Sequence, residues 1–107
     1  RRADEPMDVV DSVNGVPIRL TAERWSHIVD NKPYMSAYYE NVISTIENPA
    51  RVVQGYAGAL IAISSLGRRR YLNVVYRELS RYDGFIITAF VSTKLNKGNL
   101  TWPKARS

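Results

Sequence analysis

The chain contains one histidine, His27, and no cysteine. Without thiols there are no disulfides, zinc–thiolate centres or cysteine nucleophiles, and a single imidazole cannot build a multi-histidine metal site. The acids Asp8, Asp11, Glu23, Asp30, Glu40, Glu47, Glu78 and Asp83 are scattered, with no paired spacing on a readable element. Carboxylate cages for a divalent ion need such convergence. Any catalysis is therefore expected to be free of metal and cofactor, with histidine, whose ordinary pKa lies nearest neutrality, as the proton carrier. A structural histidine on a helix flank fits the same spacing.

Arginine supplies 11 of the 15 basic residues, the net charge is +5 and the pI is near 9.7. Guanidinium forks grip phosphate bidentately and stack on bases, so this balance points to nucleic acid. An acidic protein partner, or charge that serves solubility alone, satisfies the same composition.

The elements that must position these groups follow from periodicity. At 107 residues, with 45% hydrophobic and 23% charged residues, the chain is sized for one domain with one core. Residues 1–12 are polar and aperiodic and are expected to be a flexible tail or linker; the absence of an opening methionine fits the terminal domain of a longer protein. Residues 13–94 form the domain and residues 95–107 a basic C-terminal tail. No apolar run approaches the ~20 residues of a membrane span, and no signal peptide is apparent, so a cytoplasmic location is expected.

Val16–Leu20 reads as a short edge strand, where Pro17 is tolerated. Thr21 is a candidate N-cap for a helix to about Asp30 with apolar residues Ala22, Trp25, Ile28 and Val29. Asn31-Lys32-Pro33 breaks it, and a second helix is expected from about Tyr34 to Glu47, closed by Asn48-Pro49. Strands follow at Ala59–Ser64, Arg70–Glu78 and Phe85–Ser92, joined by tight turns as an antiparallel meander. The expected class is α+β, with two N-terminal helices packed on a mostly antiparallel sheet.

Alternation divides the second of these strands into Arg70, Leu72, Val74 and Tyr76 against Arg69, Tyr71, Asn73, Val75 and Arg77. The last divides into Phe85, Ile87, Ala89 and Val91 against Ile86, Thr88, Phe90 and Ser92. With helices on the apolar side, Tyr71, Asn73, Arg77, Thr88 and Ser92 line the opposite face, where arginine, hydroxyls and an aromatic suit a phosphodiester and a stacked base. An exposed sheet face is polar for reasons of solvation as well. Arg68, Arg69 and Arg70 around a turn, with Lys94 beyond the last strand, would steer RNA towards that face. His27 would have to reach it from an edge.

The run Ile18-Arg19-Leu20-Thr21-Ala22-Glu23-Arg24-Trp25-Ser26-His27-Ile28, then Thr45-Ile46-Glu47-Asn48-Pro49, then Tyr71-Leu72-Asn73-Val74-Val75-Tyr76-Arg77 and Asp83-Gly84-Phe85-Ile86-Ile87-Thr88-Ala89-Phe90 resembles the phage-associated nucleases of the barnase, EndoU, colicin E5/D and RelE-like superfamily (the BECR fold). The resemblance covers about residues 16–94. It implies a small helix-then-sheet ribonuclease, used as a toxin or effector, that cuts RNA without metal. Carried over by position, it implies His27, Arg77 and Thr88 as the catalytic residues. An acidic antitoxin or immunity protein is a possible further partner. Such nucleases often carry a second histidine, then proline and an acid, after the first helix; here Lys32-Pro33-Tyr34 stands instead.

Overall fold

The computed structural model describes residues 7–104; residues 1–6 and 105–107 of the expected N- and C-terminal tails lie outside them. The elements, in chain order, are β1 (Met7–Asp11), β2 (Pro17–Thr21), α1 (Ala22–Asn31), a 3₁₀ segment (Pro33–Tyr38), α2 (Tyr39–Glu47), β3 (Arg51–Gln54), a short turn (Tyr56–Gly58), β4 (Leu60–Gly67), β5 (Arg70–Ser80), β6 (Asp83–Ser92) and β7 (Leu100–Trp102). The class is α+β. The helices are not N-terminal, however, because two strands precede them, and β1 and β7 come from stretches read as tails. No described helix is long and apolar enough to cross a membrane.

The seven strands form one mixed sheet in the order β1-β2-β6-β5-β4-β3-β7. The β4–β5–β6 meander is antiparallel, as its turn residues require. β2 is an interior strand rather than an edge: it pairs antiparallel with β1 and parallel with β6. The parallel contact is brief, consisting of Ile18 opposite Gly84 and Arg19 opposite Phe85. It also brings the strands very close, since a Cβ built on Gly84 would lie 2.5 Å from Ile18 Cδ1 and 2.6 Å from the Arg77 carbonyl oxygen.

Thr21 converts β2 directly into α1, its Oγ1 accepting the Arg24 N–H at 3.0 Å. α1 buries Ile28 and ends at Lys32, whose N–H donates to the Ile28 carbonyl. The second helix is shorter than its periodicity suggested. Pro33 lacks the N–H an α-helix would use, and Pro33–Tyr38 winds as 3₁₀ before α2 begins at Tyr39. Trp25 of α1 meets Tyr39 edge to face, centroids 5.0 Å apart, and the Tyr39 hydroxyl donates to the buried Asp8 of β1.

Ile18, Leu20, Ile28, Met35, Val42, Ile46, Val52, Ala62, Leu72, Val74, Tyr76, Ile86 and Ala89 form the core between helices and sheet. Strict alternation along β6 fails there: Ile86 is buried, whereas Phe85 and Ile87 are only half-buried. Tyr76 pairs with Ile86 and Val75 with Thr88, so Ile87 is an extra residue and the parity reverses at a bulge.

Tyr76 is 1% exposed, and burial, reinforced by the Glu78 carboxylate, pushes its hydroxyl well above its ordinary pKa of 10.0. As pH rises past about 10 the unfolded chain loses this proton first, so stability falls by up to about 1.4 kcal/mol per pH unit. Tyr76→Phe is expected to flatten that alkaline decline, read from urea unfolding midpoints between about pH 9 and pH 11.

Part of the second face is covered too. Val52 and Val53 are both buried, as are Ala62 and Ile63, and Leu72, Asn73 and Val74. Lys94 is tied to Ser92 at one end of β6, and Asn99 to Gln54 at the opposite end of β3. Residues 93–99 therefore cross the sheet diagonally between β6 and β7, over the face the helices leave open, with Leu95 and Asn96 half-buried.

Candidate nucleic-acid interface

β2 pairs with only the first residues of β6, so among the described residues the rest of that β6 edge has no strand beside it. α1 and the 3₁₀ segment fill the place. Lys32 Nζ donates to Thr88 Oγ1 at 3.2 Å, and Tyr34 Oη accepts the Val91 N–H at 3.2 Å. At the other end of α1, Arg24 lines a cleft with Arg19, Thr21, Phe85 and Ile86. α1 thus runs along β6, with the open part of the sheet face beside it.

On α1, Arg24, His27 and Asn31 recur at i, i+3 and i+7, a flank separate from the Trp25–Ile28 side. His27 lies on the turn between Arg24, which faces Phe85, and Lys32, which touches Thr88. Its side chain is 61% exposed, with Nε2 3.8 Å from Glu23 Oε1, an exposed pair of small energetic weight. α1 lies at the β6 edge, but the one polar side-chain contact of His27 among the described residues is Glu23 on the same helix.

The other residues separate by place. Cross-strand partners share a face, so Tyr71 with Ser92, Val75 with Thr88, and Arg77 with Phe85 and Arg19 all lie on the face away from the core. Arg77 donates to the Ala57 carbonyl of the β3–β4 loop, which takes one of its five N–H donors. Asn73 sits on this face but is 2% exposed, its amide donating to the Tyr71 and Phe90 carbonyls and to Ser92 Oγ. Ser92 Oγ in turn donates to the Lys94 carbonyl. Asn73 and Ser92 thus brace the start of the crossing segment, and the Lys94 side chain is exposed on it.

Arg70, on the side of Leu72 and Val74, donates to Tyr38 Oη at 2.5 Å with its guanidinium over the same ring, and so lies away from the open face. Arg68 and Arg69 are exposed at the β4–β5 turn with φ of 53° and 58°. Two consecutive left-handed residues make a type I′ hairpin, for which Asn-Gly is the favoured pair. Replacing Arg68 by Asn together with Arg69 by Gly is expected to stabilise the fold by about 1 kcal/mol, raising the melting temperature by a few degrees. A thermal melt of the double variant against the parent checks this.

Sequence reasoning missed the cleft, which has a volume of about 150 Å³. Arg19 lies over the Phe85 ring at 5.8 Å and is ion-paired with Asp83. The available signal was the i, i+3 pairing of Arg24 with His27 off the apolar stripe. No group of three or more His, Cys, Asp or Glu that could hold a metal occurs among the described residues. No protein-family model, curated protein or solved structure matches the chain.

Proposed function

We propose that this protein is a metal-independent endoribonuclease of the barnase, EndoU, colicin E5/D and RelE-like kind, acting as a toxin or effector. The observation that carries the reading is α1 lying along the vacant edge of β6, with Lys32 on Thr88 and Arg24 at Phe85 on either side of His27. In this reading the α1 flank and the β6 edge together present a phosphodiester with a proton carrier, cations and a hydroxyl.

In the proposed step the RNA 2′-oxygen attacks the adjacent phosphorus and its proton passes to the His27 imidazole. The bond from phosphorus to the 5′-oxygen breaks, and that oxygen takes a proton from the imidazolium or from water. The products are a 2′,3′-cyclic phosphate and a 5′-hydroxyl. Lys32 and Arg77 bear the charge growing on the phosphoryl oxygens, and Thr88 hydrogen-bonds one of them.

Incubating total RNA with micromolar protein in excess chelator, then sequencing the ends, is expected to give cyclic-phosphate termini. Intact RNA would sink the proposal. Two observations favour a second reading, a non-catalytic RNA-binding module: the Arg77 guanidinium is engaged by Ala57, and His27 is mostly exposed. Salt-dependent binding without product is its signature.

A further inference from the structure

The cleft where β2 and β6 part has a composition of its own. It holds two guanidiniums, Arg19 and Arg24, the Thr21 hydroxyl and the Phe85 ring. Asp83 pairs with Arg19, leaving one net positive charge. At about 150 Å³ it is half or less of the ~300–1,000 Å³ that a drug-sized ligand needs. It has room for one flat ring system with one anionic group beside it.

The Arg19 guanidinium lies over the Phe85 ring, 5.8 Å from its centroid, held by Asp83 on one side and by strand pairing on the other. Guanidinium planes and aromatic rings are the surfaces on which unpaired bases stack. Arg24, beside them on α1, is a free fork for a phosphate: its backbone N–H is committed to Thr21, while its side chain lines the cleft.

We infer that this cleft is a subsite for one nucleotide of single-stranded RNA, its base stacked on the Arg19–Phe85 pair and its phosphate on Arg24. The inference rests on the nuclease reading only in calling this nucleotide the neighbour of the scissile bond, because Arg24 lies one helical turn before His27. Asp83 is a positioning residue, fixing the Arg19 plane. One net charge matches one phosphodiester.

The test uses a 2′-O-methyl hexauridylate, which cannot be cleaved through its 2′-oxygen, titrated by fluorescence anisotropy at two salt concentrations. Phe85→Leu is expected to bind about 5- to 150-fold more weakly with an unchanged salt slope, since stacking is lost. Arg24→Gln is expected to bind more weakly with a salt slope smaller by about 0.7, one phosphate contact fewer on a single strand. Arg19→Lys keeps the charge but not the plane and is also expected to weaken binding, which keeps the test open should Phe85→Leu fail to fold. Arg81→Gln, on the exposed β5–β6 turn, removes the same charge elsewhere and is expected to bind within twofold of the parent.

Parent-like binding by Arg24→Gln and Arg19→Lys would overturn the subsite, as would equal weakening in Arg24→Gln and Arg81→Gln. Uncut RNA with cleft-dependent hexauridylate binding would sink the nuclease reading alone. Cut RNA with cleft-independent binding would sink the subsite alone.

Discussion

His27→Ala is expected to cleave RNA about 10²- to 10⁴-fold more slowly than the parent chain, the span that general acid–base catalysis contributes. Its melting temperature is expected to stay within about 2 °C, because the side chain is 61% exposed and its ion-pair partner, Glu23, is more exposed still. The two readouts separate chemistry from folding. The loss is expected in the single-turnover rate with saturating protein, while affinity for an uncleavable RNA analogue stays unchanged, since proton transfer is needed only in the transition state. Full single-turnover activity in His27→Ala would remove the imidazole from the mechanism and leave Lys32, Arg77 and Thr88 to carry it. A rate loss matched by an equal loss of affinity would make His27 a binding residue.

Why His27 sits where this test is meaningful was only half legible in the sequence. The helix periodicity of Trp25 and Ile28 and the cap at Thr21 are local signals, and they fix which flank of α1 carries Arg24, His27 and Asn31. Local signals also give the β4–β5–β6 meander, because alternating residues such as Leu72, Val74 and Tyr76 bury one face. Where α1 lies is decided by a parallel pairing between residues 18–19 and 84–85, at long sequence separation and over two residues. No periodicity encodes that.

The same reason hid the outer strands. β7 is the three residues Leu100–Trp102, held by pairing to Val52 and Val53. β1 carries a buried Asp8, to which Tyr39 donates from α2, a burial that sequence periodicity does not announce. The bulge at Ile87 reverses the faces of β6 with no glycine or proline to announce it. It leaves Thr88 on the face of Val75, as alternation expected, while moving Phe85 to the face of Arg77, as alternation did not.

Gly84 is where fold and site depend on the same atoms, and Gly84→Ala is expected to destabilise the protein by about 2–3 kcal/mol, the cost of overpacking a close contact. In a chain of this size that lowers the melting temperature by about 10 °C or more. A methyl group there meets Ile18 Cδ1 at 2.5 Å and the Arg77 carbonyl oxygen at 2.6 Å. The first contact is a side-chain tip and can swing away; the second is backbone, fixed by the β5–β6 pairing. The double variant Gly84→Ala, Ile18→Val is therefore expected to remain destabilised, since it relieves only the movable contact. To accommodate the methyl, the start of β6 must shift away from the Arg77 carbonyl of β5, and the pairing of Arg19 with Phe85 is half of all that joins β6 to β2 in register. That shift moves Phe85 and Asp83, both on β6, relative to Arg19 on β2, at the junction where α1 follows Thr21 without a linker. Gly84→Ala is accordingly expected to lose affinity for single-stranded RNA even at temperatures where circular dichroism finds it fully folded. Unchanged affinity in the folded variant would mean that RNA does not use the junction of β2, β6 and α1.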